Sequence, residues 1–410
     1  MLASLFAGIS GLSANATAMT VIGDNIANVN TTAFKSNRSE FANILSTSLG
    51  GESAMSKVGR GVDLWSVNAQ WTQGSLENTA SNTDLAINGK GFFIVQEDSG
   101  TNYYTRAGNF TFDKDGYLVN PDGLRLQGYQ FDTNGSLGAI TDIYVPGERV
   151  SPPSATTEFS FDMNLNSGAQ AGDTYTTSQT VYDSLGNAIP LTLTFTKQAA
   201  AGTWTATGTI PSTAGSAVAF NGGANLALTF DANGVMTTPA ADVTVGLTLI
   251  NGASPLAMTW DIVDANGTIL GDVTGYASAS ATTFQSQNGY PSGSLRSVDV
   301  DENGIVTATY SNGEMMPLFQ VALADFPSYE GLSKMGRNLY AESVASGQAL
   351  PGIAGTGRLG SFAPSCLEMS NVDLAAEFVK MITTQRAFQA NSRVITASDE
   401  ILQELINIKR

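Results

Sequence analysis

NIANVNTTAFK, residues 25–35, ends an apolar segment in which Asp24 is the only charged side chain before Lys35. Asparagine tolerates left-handed backbone and can bond to its own chain two residues on. Asn28 and Asn30 are therefore expected to stop a helix, with Thr31 and Thr32 turning the chain away from it. Lys35 is free to meet a carboxylate on a neighbour. The cluster is not catalytic in any usual sense, because the 410-residue chain contains no histidine. That removes Ser-His-Asp and Cys-His arrangements and the common zinc sites.

Upstream of this stretch, Leu5, Ile9, Leu12, Ala16, Met19 and Ile26 recur in alternating steps of four and three, with Gly23 in the missing slot. This is a heptad seam, and Leu2, Phe6 and Ile22 widen it. A helix to about Asn28 would be near 40 Å long. Gly8, Gly11 and Gly23 each weaken it by about 1 kcal/mol relative to alanine. It should need a partner to bury its stripe.

The other end of the chain offers one. Ser370-Asn-Val-Asp373 reads as a capping box with Ser370 as N-cap, and residues 371–410 contain neither glycine nor proline. Leu374, Phe378, Ile382, Val394, Ile401, Leu405 and Ile408 fall at helical spacing. Met381, Phe388, Ile395, Leu402 and Ile406 form a second row. Periodicity alone fits equally the core of a monomer; but two helices side by side cannot cover two rows each, and surplus apolar surface of that kind usually marks a contact between subunits.

Between the ends the pattern changes. Asn-Gly or Asp-Gly occurs eleven times, from Asn88-Gly89 to Asn312-Gly313. These pairs are strong hairpin signals, and short β-branched runs separate them. The expected class is mainly β with long terminal α-helices. The layout is nested and multidomain: terminal helices paired, with β-rich inner and outer domains.

The boundaries fall as follows. Residues 1–30 with 370–410 form a helical coiled-coil domain, and 31–70 with 355–369 an extended connection. Residues 71–145 with 290–354 form the inner β-domain, and 146–289 the outer one. The interior strands are read as antiparallel throughout.

The net charge is −17, and residues 151–290 hold nine acids against Lys197 as their single base. Such a surface repels phosphate, so nucleic acid is not an expected partner. The N-terminus lacks a basic leader, and no apolar run reaches membrane-span length, so neither a cleaved signal nor membrane insertion is expected. The lone Cys366 excludes an internal disulfide and reads as a packed side chain.

Asp299-Val-Asp301-Glu-Asn303-Gly304 matches the first half of a calcium loop. Tyr310 stands where the bidentate glutamate is needed, so a hairpin turn is expected. Asp113-Lys-Asp115-Gly116 reads the same way. No carboxylate pair stands out for glycoside hydrolysis, and no glycine loop precedes a helix. Neither an enzyme nor a cofactor is expected.

Asn25, Asn28, Asn30, Thr31, Phe34 and Lys35 together resemble the N-terminal signature of the bacterial flagellar rod and hook axial proteins. The run from Val372 to Asn391, with Gln385, Arg386 and Asn391, resembles their C-terminal one. Ala86-Ile-Asn-Gly89-Lys-Gly91-Phe92-Phe93 and Tyr104-Thr-Arg106-Ala-Gly108 resemble their inner β-domain. The long insertion between Val145 and Tyr290 resembles the outer domain of hook members rather than the shorter rod members.

The resemblance implies a homopolymer: a hollow, flexible helical tube that transmits motor torque from rod to filament. Its partners would be the rod, the hook cap, the hook–filament junction and the flagellar type III export apparatus. Phe41-Ala-Asn-Ile-Leu45 resembles the segment that meets the export gate. The implied assembly residues are Leu5, Ile9, Leu12, Met19 and Ile26 on the first helix. On the second they are Phe378, Ile382, Val394, Ile401, Leu405 and Ile408. The place would be the extracellular hook, reached without a cleaved signal. A distal rod protein is the nearest rival; a secreted adhesin or phage tail component would not carry the paired signatures.

Overall fold

A computed structural model of the chain describes residues 2–44, 47–48, 57–132, 135–145, 150–264 and 268–408. As expected, it is mainly β between two terminal helices. Helix α1 spans Leu2–Ala27 and α2 spans Leu374–Ile408. At 1.5 Å per residue they are about 39 and 52 Å long.

The helices lie antiparallel: Ser4 Oγ is 3.4 Å from Ser398 Oγ, while Asn25 near the other end of α1 reaches Glu377. Their meeting differs from the expected seam. The buried positions of α1 are Gly8, Gly11, Ala14, Ala18, Ile22 and Asn25. A Cβ built on Gly8 would stand 3.0 Å from Ile395, and one on Gly11 2.7 Å from Asn391. These glycines are points of close approach, so their helical cost is offset by packing that a larger residue would prevent. The Leu5/Ile9/Leu12 row is not the intrachain seam.

Two further expectations need correction. The N-cap of α2 is Asp373, not Ser370. Asp373 Oδ1 accepts the amides of Ala375 and Ala376, whereas Ser370 Oγ reaches only the amide of Val372. In addition, Ser4–Ala27 is long and apolar enough to cross a membrane by length and composition alone. Its serines and threonines break the run without making the helix polar. The expectation that no such segment exists therefore fails.

After α1 comes a two-stranded antiparallel ribbon of β1 (Asn37–Asn43) and β2 (Val62–Ala69). At one end the Val62 amide donates to Ser10 Oγ at 3.2 Å; at the other, Asn25 brackets Asn37. Seven strand steps cover about 23 Å. The helix from Ser10 to Asn25 covers nearly the same. The ribbon therefore lies along α1.

The chain divides into two compact units. The first comprises Met1–Gly147, Val298–Ala308 and Met316–Arg410. Its central strand, Phe92–Gln96, pairs with Asn102–Thr105, with Arg125 and Leu126, and with Leu323 and Ala324. Phe92, Tyr104, Phe326 and Tyr340 fill the core, and Trp71 packs edge-on against Phe92 at 5.4 Å.

The loops that resembled metal sites are turns. Asp301 Oδ1 accepts the amides of Asn303 and Ile305, and Gly304 takes φ +78°. Asp113 does the same for Asp115 and Tyr117. Among the described residues no cluster could hold a metal ion.

The second unit comprises Glu148–Ser297 and Thr309–Met315. Two sheets share one core, in which Trp260 stacks on Phe159 and meets Phe161 edge-on. Along Ala188–Lys197, Ile189, Leu191, Leu193 and Phe195 point inward while Thr192, Thr194 and Thr196 point out. Lys197, the single base of residues 151–290, is buried with its ammonium 5.6 Å from the Trp204 ring centre. The pairing is not antiparallel throughout: Glu158–Asn164 runs parallel to Leu256–Trp260 and to Val273–Thr274. Hairpin signals fix only neighbouring strands, and these partners are distant in sequence.

Trp260 is fully enclosed. We expect Trp260→Ala to destabilise this unit by about 3–5 kcal/mol, read as a lower urea midpoint in tryptophan fluorescence.

Candidate assembly site at the paired chain ends

The opening motif forms a buckle between three pieces of chain. Helix α1 stops where the Asn28 amide splits between the carbonyls of Asp24 and Asn25, at 3.1 and 3.2 Å. Asn28 Nδ2 also donates to Asp24 O, and Thr31 Oγ1 donates to Asn28 Oδ1. The left-handed residue is Ala33, with φ +58°, rather than Asn28 or Asn30. Ala33 is fully buried, and its amide donates to the Glu368 carbonyl at 2.7 Å. That tertiary bond, rather than a side-chain turn, decides where the chain reverses. Asn30 is exposed.

Lys35 does not reach for a neighbour. It is 3% exposed, and its Nζ lies 2.5 Å from Glu368 Oε1 and 2.8 Å from the Thr72 carbonyl. The other oxygen of Glu368 meets Arg106 at 3.3 Å, and the Gly74 amide donates to Oε1. Arg106 in turn donates to the carbonyl of Gly89 and lies over the Phe92 ring. Burial pulls the Lys35 pKa below the usual lysine value, and Glu368 acts against that shift. Burial lowers Arg106 likewise.

Two asparagine side chains complete the buckle by replacing backbone partners. Asn25 accepts the Asn37 amide and donates to its carbonyl, both at 2.8 Å. Asn371 accepts the Ser36 amide at 2.7 Å and donates to Gln70 O at 2.8 Å. Extended chain leaving a helix thus keeps its buried polar groups satisfied. Asn338, in the same unit, adds a bond to Thr32 O. Glu368 and Asn371 received no role from sequence, and Arg106 received none beyond its motif. The Arg106–Glu368 and Ser36–Asn371 pairs span 262 and 335 positions, which no local pattern reports.

The named assembly residues lie outside this buckle. Ile9, Phe378, Ile382, Val394 and Ile401 are exposed, as are Phe6, Val379 and, to a lesser degree, Phe388. Leu5, Leu12, Met19 and Ile26 are half-buried. Leu405 and Ile408 lie within α2, but their side chains are outside the described residues, as is that of Leu2. Gln385 and Arg386 are exposed, and Asn391 packs under Gly11. Phe34 is half-buried and Phe41 is exposed on the ribbon; Leu45 lies outside the described residues. Cys366 is half-buried and donates to Asn78 Oδ1 at 2.9 Å. The arrangement offers rigid apolar rows rather than a reacting group.

Removing one member of a buried ion pair leaves an uncompensated charge. We expect Lys35→Met to cost about 3–5 kcal/mol, measured by urea unfolding of the full chain.

Comparison with known proteins follows the same plan. Residues 5–35 match the flagella basal body rod protein family, and 86–164 the flagellar hook protein FlgE/F/G D1 domain. Residues 164–290 match the flagellar basal body protein FlaE D2 domain, and 364–408 the C-terminal family of the rod FlgEFG proteins. The chain is 34% identical to the flagellar hook protein FlgE of Borreliella burgdorferi, with 100% of both chains covered. It is 35% identical to that of Escherichia coli K12, with 98% of both covered. The crystal structure of Helicobacter pylori flagellar hook protein FlgE2 shares the fold, with TM-score 0.51 and 17% identity over 72% of this chain and 100% of that one. The chain belongs to the flagellar hook protein family.

Proposed function

We propose that this protein is the structural subunit of the bacterial flagellar hook. Copies associate into a hollow, flexible helical tube that carries motor torque from rod to filament. One observation carries the reading. The terminal helices meet through Gly8, Gly11, Ala14 and Ala18, and so leave Ile9, Phe378, Ile382 and Val394 facing outward. Each such side chain gains about 1.5–3 kcal/mol on full burial, and contact with other copies would bury whole rows.

In this tube the helical pair, residues 1–30 with 370–410, lines the inside. The connection 31–70 with 355–369 follows, then the inner β-domain 71–145 with 290–354. The outer domain 146–289 lies furthest out. That outer domain, matched as a D2 domain, favours a hook subunit over a distal rod protein. Its outward strand face pairs Thr174 with Thr196, Thr176 with Thr194 and Ser178 with Thr192. Neutral hydroxyls suit wet contacts that shift as a tube bends. The partners are the rod, the hook cap, the hook–filament junction and the type III export apparatus, where Phe41 meets the gate. The site of action is the extracellular hook, reached without a cleaved signal. The role is structural, not catalytic.

The test is electron microscopy of concentrated protein. We expect tubes from the full chain, and none from Ile9→Glu/Phe378→Glu or from a form lacking residues 1–30. The β-units should keep their melting temperatures. Normal tubes from either altered form would overturn the proposal.

A further inference from the structure

The ribbon beside α1 carries an aromatic side chain that the hook reading leaves unexplained. Trp65 on β2 is 77% exposed. It is also the extra residue of a β-bulge: Glu40 pairs with Ser66 and Phe41 with Leu64, so Trp65 has no partner across the ribbon. Bulges re-aim side chains. Exposed Phe41 and Val67 flank it. Tryptophan is one of the residue types enriched among interface anchors.

A matching hole exists in the same unit. Ala16, Met19, Thr20, Gln385, Phe388 and Gln389 line a mainly apolar groove of about 470 Å³ between α1 and α2. That size falls in the roughly 300–1,000 Å³ range of ligand-holding clefts. Met19 and Phe388 offer soft apolar contact, and the side-chain carbonyls of Gln385 and Gln389 can accept an indole N–H.

The chain's own ribbon cannot fill the groove. The ribbon contacts α1 at Ser10, and Met19 is nine residues further on. At about 100° per residue that places Met19 half a turn away, on the opposite side of the helix. Knob and hole therefore face away from each other on one helix, which suits a heterologous contact repeated from copy to copy.

Resting on the hook reading, we infer that Trp65 of one subunit inserts into the Met19–Phe388 groove of a second copy. The occupant is a second copy because the family polymerises and the groove continues the exposed helix rows through which copies join.

The test uses the full chain. Trp65→Ala should leave the monomer melting temperature unchanged, since the side chain makes few contacts there. The concentration needed for tube growth should rise by roughly thirtyfold, the scale of a central anchor. Trp65→Phe should fall between. In a Cys366→Ser background, Trp65→Cys with Phe388→Cys should oxidise to ladders of linked subunits in tubes and not in dilute monomer. A control pairing Trp65→Cys with exposed Leu185→Cys should not. Trp65→Ala tubes forming at the unaltered concentration would overturn the inference while leaving the hook reading intact. So would loss of assembly without a Phe388 cross-link, which would place the anchor elsewhere. Absence of tubes from the unaltered chain would overturn both.

Discussion

The close approach of α1 to α2 at Gly8 and Gly11 determines how this molecule presents itself. With no Cβ at these positions, Ile395 and Asn391 come to the backbone of α1, and Ala14 and Ala18 extend the narrow seam. A seam built from small residues displaces the large ones. Phe6, Ile9, Phe378 and Ile382 are pushed to the outer surface of the pair, where water meets them. Had the large residues met each other, the pair would bury its own stripes and offer copies little to bind. The same sequence thus separates two surfaces: small residues join the ends of one chain, and large residues are left exposed, where the proposed contacts with other copies would bury them.

Such a pair would be a loose appendage without the buckle. Lys35 follows α1 and Glu368 precedes α2, and Arg106 ties Glu368 to the inner sheet through Gly89. Burying three charges together is expensive, and a well-packed apolar cluster could be at least as stable. What the ionic arrangement adds is direction. Asn25, Asn371 and Glu368 each accept or donate to particular backbone groups, so the helices leave the β-unit at one fixed register. A subunit that passes torque along its length needs that fixity more than it needs extra stability.

Much of this was legible in the sequence, and the misses share one cause. Helical periodicity located both helices, and Asn-Gly and Asp-Gly pairs located several of the hairpins, because both are local signals. The seam was misassigned because a hydrophobic pattern weights Leu and Ile and gives glycine only a helical penalty. Lys35 was assigned a partner on another copy because its own lies 333 positions away. Ser370 satisfied a capping pattern, yet Asp373 is the residue that turns its carboxylate to the free amides. Asn28 and Asn30 looked left-handed by type, while the backbone placed that strain on Ala33, held by a long-range bond. Trp65 carried no signal at all, since exposure and a bulge are properties of pairing.

The opposed faces of α1 have a geometric consequence for assembly. The ribbon occupies the Ser10 side, the groove the Met19 side, and α2 the small-residue face between them. A two-fold dimer would need one patch to meet itself, and no single patch here combines knob and hole. Contacts joining unlike faces instead repeat with a constant rotation and rise, giving an open helix unless the rotation happens to close. In the proposed contact, the choice between a closed particle and a tube is therefore made within one helix, by which of its sides the ribbon, the groove and α2 occupy.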